Sequence, residues 1–295
     1  MIDSLLRGKR RRYGEVFLLA AIYGAAGVSV SLLLAIVGCV FFYGFRVLDI
    51  SFFTTVTSRL KGTVGIAGNL LNTLYIAALT LAIVIPLGVG AAIYLNEYAR
   101  PGKLVRLIEF TTETLSGIPS VVFGLFGMFF FGHVLGLGYS LFSGALTLAF
   151  MVLPLIVRNT REALQAVPEG YRSGALGLGA TKWYMIRTIL LPSAMPGILT
   201  GVVLSAGRIV GESAALLFTA GSARGIPKLT GALAEDLGRL GRKVFDPGGS
   251  LAVELYLQMQ NGEYGTAFGI GCVLMLFVLS MNLLLKLILR RVHKT

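Results

Sequence analysis

Three long stretches without any charged side chain are the feature that most limits how this chain can fold. Residues 16–45, 62–96 and 114–157 contain no Asp, Glu, Lys or Arg, and the last of them is 44 residues long. About 20 apolar residues are enough for a helix to cross the hydrocarbon core of a bilayer. Charged residues make up 14% of the chain, against about a quarter of a typical soluble domain. The sequence therefore excludes a soluble globular domain and predicts an all-α, polytopic integral membrane protein.

The uncharged stretches, with two further apolar segments near the carboxyl terminus, predict six transmembrane helices in a single domain, residues 1–295. The stretch 114–157 is long enough for two of them, divided by the glycine-rich segment 132–140. The first helix is expected to remain uncleaved, because its apolar run is about twice as long as that of a signal peptide. The predicted spans are 16–43, 70–94, 116–134, 139–157, 196–220 and 265–286.

Lysine and arginine predict the orientation of these spans. If Met1 is inside, the segments on the inner side contain 17 of these residues and the segments on the outer side contain 8. Basic residues concentrate on the cytoplasmic side of membrane proteins. We therefore expect a chain in the cytoplasmic (inner) membrane, surrounded by lipid, with both termini in the cytoplasm. A cytoplasmic loop is expected over 158–195 and an outer loop over 221–263. The net charge of +12 follows this distribution and forms no binding motif, so nucleic acid is not an expected partner.

Several kinds of chemistry lack the residues that they need. His133 and His293 are the two histidines, and the two cysteines, Cys39 and Cys272, lie inside apolar stretches. These residues are too few and too scattered for a zinc or haem site. The sequence also contains no G-x-x-x-x-G-K-[ST] loop that could bind ATP phosphates. We therefore expect no catalytic residue, metal or cofactor on this chain, and a membrane enzyme is the least favoured class.

The segment between Arg172 and Pro196 reads RSGALGLGATKWYMIRTILLPSAMP. It predicts a surface helix, a turn at Gly179 and a second helix that Pro192 ends before the next span. Its spacing resembles the EAA motif of ABC-importer permeases, in which this loop forms a coupling helix that docks on the ATP-hydrolysing subunit. Ser173 and Gly174 replace the glutamate and alanine usual there, which weakens any acidic contact. The resemblance implies that the coupling residues are Ser173, Gly174, Ala175, Gly179, Ala180, Ile189, Leu191 and Pro192.

Two further segments carry a more specific resemblance. Residues 116–127 read SGIPSVVFGLFG, and residues 85–98 read IPLGVGAAIYLNEY. By composition alone, the first is equally well explained as a helix start with small residues for close packing. Its sequence, like that of 85–98, closely resembles the permeases of the high-affinity phosphate importer, and the length suits the PstA type rather than the PstC type. The resemblance implies ATP-driven import of inorganic phosphate by alternating access.

The same resemblance implies the partners. They are a PstC-like second permease, a PstB-like ATPase dimer that holds the ATP and Mg, and an extracytoplasmic PstS-like phosphate-binding protein. The permease itself would contribute the path, a selectivity element and the coupling segment.

Arg208 and Glu212 are ionisable residues inside the fifth predicted span, where charges are costly unless they face a cavity or each other. Four residues apart on a helix, they would share one face. One interpretation is a structural ion pair. The other is that Arg208 binds the substrate anion through its planar fork of donors, while Glu212 holds it in position. The R-x-x-G-E pattern also resembles the phosphate permeases, which implies the second role.

Two other functions remain open. A permease of another oxyanion importer, for sulfate or molybdate, would share the coupling segment, although the sequence of 116–127 favours phosphate. A secondary anion transporter would need no ATPase, and the coupling segment is the feature that argues against it.

Overall fold

The computed structural model describes residues 2–58, 62–100, 102–226 and 233–292. These residues form thirteen helices and one antiparallel β-hairpin. The helices are α1 (Ile2–Gly44), α2 (Ile50–Thr54), α3 (Ala67–Ile93), α4 (Lys103–Ser116), α5 (Ser120–Gly127), α6 (Leu141–Gln165), α7 (Glu169–Gly177), α8 (Lys182–Met185), α9 (Leu191–Gly211), α10 (Ala214–Thr219), α11 (Leu233–Lys243), α12 (Leu251–Gln260) and α13 (Tyr264–Val292). The strands are β1 (Val56–Ser58) and β2 (Thr63–Ile66). His293 and part of the predicted outer loop, 227–232, lie outside the described residues.

The described helices include five that are long and apolar enough to cross a membrane. These are Glu15–Gly44, Ala67–Tyr98, Leu141–Gln165, Lys182–Gly211 and Tyr264–Leu284. A sixth crossing results if α4, α5 and the turn after α5 count as one span, although the two parts are bent by 101°. The predicted all-α membrane fold is therefore confirmed. The β-hairpin and the separate helix α4 were not predicted from the sequence.

Several helices begin or end away from the apolar stretches that predicted them. α6 continues to Gln165 and α8 begins at Lys182, so most of the predicted loop 158–195 is helical. The charged residues on these turns do not end the helices, because Arg, Lys, Glu and Gln are good helix formers. The fifth predicted span also differs, since α9 ends at Gly211 and α10 follows only after a break at Glu212.

α6 is the central helix, and both α3 and α9 pack against it. In the most apolar 18-residue stretch of α6, 67% is buried, whereas 0% of the corresponding stretch of α1 is buried. The close approach depends on glycine. A Cβ added to Gly88 of α3 would lie 2.5 Å from a methyl carbon of Ile156, and one added to Gly201 of α9 would lie 2.7 Å from the Cβ of Asn159. These contacts fix the positions of α3, α6 and α9 relative to one another.

The two ends of the helix bundle differ in structure. We call the end that carries α7 the α7 end, and the opposite end, which carries β1 and β2, the hairpin end. At the hairpin end, α12 lies beside the beginning of α3. The Asn69 amide donates to the Gly249 carbonyl at 3.0 Å, and the buried carboxylate of Glu254 pairs with Arg224 at 2.7 Å. Buried polar groups therefore close this end of the bundle.

Candidate functional site

A cavity of about 420 Å³, whose lining includes several charged side chains, lies between α4, α6 and α9. Its α6 wall extends from Met151 to Gln165, a distance of about 21 Å at the helical rise of 1.5 Å per residue. The cavity therefore runs from the middle of the bundle towards the α7 end. Its lining contains three arginines and three glutamates, so the formal charges balance: Arg158, Arg161, Arg208, Glu109, Glu113 and Glu162.

Two of the three arginines in this cavity are paired with carboxylates. Arg158 Nε lies 2.9 Å from Glu162 Oε1 one turn along α6, and Arg161 Nη2 lies 2.7 Å from Glu109 Oε1 on α4. Within the described parts of the chain, Arg208 has no hydrogen bond or ion pair, and it is exposed in the last turn of α9. An anion in the cavity would therefore meet one unpaired guanidinium, whose planar fork of donors fits the oxygens of phosphate.

The expected contact between Arg208 and Glu212 is absent from the described residues. α9 ends at Gly211, and Glu212 has an extended backbone (φ −79°, ψ 124°), so the two side chains do not share a continuous helix face. Glu212 Oε1 instead accepts a hydrogen bond from the Ala215 N–H at 3.1 Å. The carboxylate thus satisfies a free N–H in the first turn of α10, which is the usual role of a polar residue at a helix start.

The segment 116–127 contains the sharp bend between α4 and α5. Ser116 ends α4 and lines the cavity, and α5 begins after Pro119, whose ring excludes the preceding residue from helical geometry. The expected close packing is present, because a Cβ on Gly127 would lie 2.1 Å from Thr147 Oγ1 on α6. Small residues therefore hold α5 against α6, and the bend brings α4 alongside the cavity.

The segment predicted to dock on an ATPase forms α7 and a turn at its carboxyl end. The N–H of Ala180 donates to the carbonyl of Ala175, and the N–H of Gly179 donates to that of Leu176. These two bonds form a Schellman motif, which satisfies the last carbonyls of a helix. Gly179 has φ +83°, while an added Cβ would meet nothing within 4 Å. The predicted turn is therefore present, and backbone conformation rather than lack of space favours glycine there.

The coupling residues predicted from the motif divide into an exposed and a packed group. The exposed group contains Ser173, Gly174, Gly179 and Pro192. The packed group lies in or against an apolar cluster around Leu164, Met185 and Leu190, and contains Ala175, Ala180, Ile189 and Leu191. The packed side chains shape the segment, and Ala175 is buried within it, whereas Ala180, Ile189 and Leu191 are only partly buried.

Pro192 does not end a helix, contrary to the prediction. It is the second residue of α9, and the chain is helical from Lys182 to Gly211. A π-helical turn over Ile186–Leu190 precedes it, in which the Leu191 N–H donates to the Ile186 carbonyl five residues earlier. In a regular α-helix the proline ring would clash with the carbonyl four residues before it, and the wider turn relieves that clash.

A buried ion pair attaches α7 to the end of α3. Arg172 Nη2 lies 3.2 Å from Glu97 Oε1, and the two side chains are 13% and 5% exposed. The sequence indicated Arg172 only as a basic residue of an inner loop, because no sequence pattern relates two positions 75 residues apart. The contact became visible only in the folded chain.

The other charged residues of the cavity were also missed. The sequence indicates Arg158 and Arg161 only as charges of an inner loop. It predicts no helix for the segment that contains Glu109 and Glu113. The available signal was the amphipathic spacing of α4, which places apolar residues three apart on an exposed face and acids on another. The exposed apolar residues are Leu104, Leu107 and Phe110.

The known proteins that this chain resembles are membrane components of transport systems. Residues 84–294 match the family described as binding-protein-dependent transport system inner membrane component. The chain is 41% identical over 202 residues to the probable ABC transporter permease protein YqgI of Bacillus subtilis (strain 168), covering 67% of this chain and 69% of that one. It is 35% identical over 225 residues to the phosphate transport system permease protein PstA of Mycobacterium leprae (strain TN), covering 74% and 69%. The PstA protein of Xylella fastidiosa (strain Temecula1 / ATCC 700964) is 40% identical over 173 residues, covering 59% and 60%.

Solved structures show the same fold. A chain of a bacterial alginate ABC transporter is similar with a TM-score of 0.63 at 16% identity, covering 94% of this chain and 96% of that one. A chain of the MetNI methionine ABC transporter in an inward-facing conformation gives 0.55 at 20% identity, covering 77% and 94%. At these identities the likeness concerns the fold alone. The family match includes α6 to α9, and therefore both the α6 wall of the cavity and the segment that is predicted to dock on an ATPase. The chain belongs to the family of binding-protein-dependent transport system inner membrane components, the permeases of ABC transporters.

Proposed function

We propose that this chain is one of two transmembrane subunits of an importer that uses ATP to move inorganic phosphate across the cytoplasmic membrane by alternating access. The observation that carries the proposal is the guanidinium of Arg208, the one arginine in the cavity lining that pairs with no carboxylate among the described residues. The similarity to PstA proteins over more than half of the chain supports phosphate as the anion.

The charge arrangement suits transient binding of an anion. Arg208 offers a free site, whereas Arg158 and Arg161 are each neutralised by a glutamate. Three unpaired guanidinium groups would hold a phosphate strongly, since Coulomb energies grow in a partly dehydrated cavity. With two of them paired, the anion can be attracted into the pathway and still leave it towards the α7 end.

The proposed partners follow from the two ends of the bundle. At the α7 end, the exposed coupling residues and the neighbouring side chains of Leu178 and Trp183 form the surface for an ATPase dimer. The ATP and Mg belong to that PstB-like dimer, and no cofactor is proposed for this chain. A PstC-like permease would complete the pathway, and a PstS-like binding protein would deliver phosphate at the hairpin end.

This arrangement requires a specific orientation in the inner membrane. Both termini and α7 would be cytoplasmic, and the hairpin end would face outward. A topology reporter fused near Arg172 should report a cytoplasmic position. One fused near Arg239 should report an external position. An external Arg172 would contradict the proposed coupling to ATP.

Another oxyanion is the main alternative, because sulfate and molybdate share the tetrahedral shape and charge that Arg208 would bind. A secondary anion transporter is less favoured, because the chain belongs to a family of ABC permeases.

The decisive experiment is uptake in proteoliposomes that contain this chain, the second permease, the ATPase and the binding protein. Labelled phosphate should accumulate only when ATP is supplied on the side of the membrane that carries the ATPase. It should not accumulate with an ATPase variant that cannot hydrolyse ATP. Excess unlabelled phosphate should compete, while sulfate and molybdate should not. Competition by sulfate or molybdate alone would favour the other oxyanions, and uptake without ATP would favour a secondary transporter.

A further inference from the structure

α3 is anchored by buried polar residues at both of its ends. At the α7 end it continues into a π-helical turn, Tyr94–Tyr98, which contains the nearly buried Glu97. At the hairpin end its first turns contain Asn69 and Asn72, which are both 0% exposed. The helix between these anchors spans about 42 Å at 1.5 Å per residue. One continuous element therefore connects the coupling segment with the opposite end of the bundle.

Arg172 uses all of its donors to join α7 to this helix. A guanidinium has five N–H groups, and Arg172 makes five hydrogen bonds. Nε and Nη2 both donate to Glu97 Oε1, at 3.3 and 3.2 Å. The others reach the carbonyls of Leu164 (2.8 Å) and Val167 (3.0 Å), and the carboxylate of Glu169 (3.1 Å). The orientation of the side chain is thereby fixed, and among the described residues Glu97 is its one hydrogen-bond partner in the turn that continues α3.

Glu97 also contacts the helix that leads into the cavity. Its backbone carbonyl accepts a hydrogen bond from Lys182 Nζ at the start of α8, and that ammonium lies 5.0 Å from the centre of the Tyr98 ring. The Asn96 amide donates to the Glu97 carboxylate at 2.7 Å. Three segments, namely the end of α3, α7 and the start of α8, therefore meet at this one residue.

The opposite end of α3 holds the beginning of α12. The amides of Asn69 and Asn72 both donate to the Gly249 carbonyl, at 3.0 and 3.2 Å, and the Leu251 N–H donates to Thr73 Oγ1 at 2.9 Å. A displacement of α3 would therefore act directly on the residues that close the hairpin end.

We infer that Glu97 is a positioning residue that transmits movement of α7 to α3, and through α3 to the hairpin end. The inference rests on the proposed function, since it assumes that an ATPase moves α7. Separating Glu97 from Arg172 would leave a buried charge without its partner, so the two segments must move together. The apolar cluster around Leu164 and Met185 also joins them, but its contacts are non-directional and allow sliding.

The experiment compares Glu97→Gln, Arg172→Gln and the double variant in the reconstituted importer. Phosphate uptake and ATP hydrolysis are measured per assembled complex, with and without binding protein, so that loss of protein does not count as loss of coupling. Glu15→Gln, which removes an exposed carboxylate on α1, is the matched control. We expect each single variant to hydrolyse ATP but to move at least about tenfold less phosphate per ATP, within the range of coupling between protein sites.

The double variant separates a positioning role from a merely structural one. It removes both buried charges, so the amount of assembled complex should recover while the phosphate moved per ATP stays low. Recovery of both quantities would overturn the inference, because it would mean that the pair only avoids an unpaired charge. Normal coupling in Glu97→Gln would overturn it as well. If the unaltered complex shows no ATP-dependent uptake, the proposed function itself is wrong.

Discussion

Arg161 Nη2 lies 2.7 Å from Glu109 Oε1, so a carboxylate on α4 neutralises a guanidinium on α6 inside the cavity. If the cavity conducts phosphate, this pair limits how strongly the anion is held. Both side chains are partly exposed, and such pairs contribute about 0.2–1 kcal/mol. The balance between attraction and release therefore depends on contacts that single substitutions can shift.

We expect Glu109→Gln to lower the KM for phosphate uptake and to lower the maximal rate, each by about two- to fivefold, as expected from energies of up to about 1 kcal/mol. The change frees Arg161 to bind the anion, which would then leave more slowly. Uptake kinetics in proteoliposomes measure both constants. Glu162→Gln makes the same charge change at the more exposed pair with Arg158 and should have the smaller effect. Unchanged constants in Glu109→Gln would show that Arg161 does not face the anion.

Arg208→Lys and Arg208→Ala should both abolish phosphate uptake without a comparable loss of protein from the membrane. Lysine keeps the charge but lacks the planar fork of donors. Labelled phosphate uptake is compared with membrane abundance for each variant. A parallel fall in both quantities would assign Arg208 a structural role instead.

Glu212 should behave differently from Arg208. Glu212→Gln keeps an oxygen that can accept the Ala215 N–H, so uptake and stability should stay close to normal. Glu212→Ala removes this acceptor and should lower the free energy of unfolding by about 0.5–2 kcal/mol, the usual cost of losing a helix cap. Thermal unfolding of the purified chain tests the difference. If Arg208→Ala combined with Glu212→Ala restored uptake, the two residues would be an ion pair after all.

Gly179→Ala should weaken assembly with the ATPase, because an L-residue in the left-handed conformation costs about 1–2 kcal/mol. The site has room for the methyl group, so the effect would come from the backbone. Gly177→Ala places the same methyl group on α7, also in open space and without a positive φ, and should be neutral. Co-purification of the ATPase measures assembly. Equal behaviour of the two variants would mean that the turn at Gly179 does not shape the docking surface.

Lys243 provides a prediction about pH. It is 6% exposed, with Nζ 3.4 Å from the Pro247 carbonyl, and burial lowers its pKa although nearby Asp246 opposes the shift. The unfolded chain therefore binds more protons than the folded chain just below the ordinary lysine pKa of 10.5, so stability should rise with pH in that interval. Lys243→Met should raise the melting temperature at neutral pH and reduce this rise. Arg242→Met, which alters the exposed neighbour, is the control. A steeper rise in Lys243→Met would contradict the assignment.

The sequence predicted those features that depend on local pattern. Long apolar stretches predicted the membrane helices, and the glycine at position 179 predicted a turn that the left-handed backbone confirms. Features that depend on distant partners were not predictable. Arg161 and Glu97 have partners 52 and 75 residues away, and nothing in the local sequence distinguishes them from surface charges.

Irregular helix geometry explains two differences between the sequence predictions and the structure. Arg208 and Glu212 were expected on one face, but the helix ends between them. Pro192 was expected to end a helix, but the preceding π-helical turn admits it. Helix ends and widened turns shift hydrogen bonds by a single residue, and side-chain spacing alone carries little information about them.

The π-helical turn over Ile186–Leu190 also has a consequence for the deletion of a single residue. It contains one residue more than an α-helical turn would need. Deleting Thr188 would let the turn close into a regular helix and would bring Pro192 against a carbonyl one turn earlier. The five residues of the wide turn cover nearly the same rotation as four residues of an α-helix, so the helix beyond it, including Arg208, would keep its direction. The surplus residue thus accommodates the proline without changing the direction in which Arg208 faces.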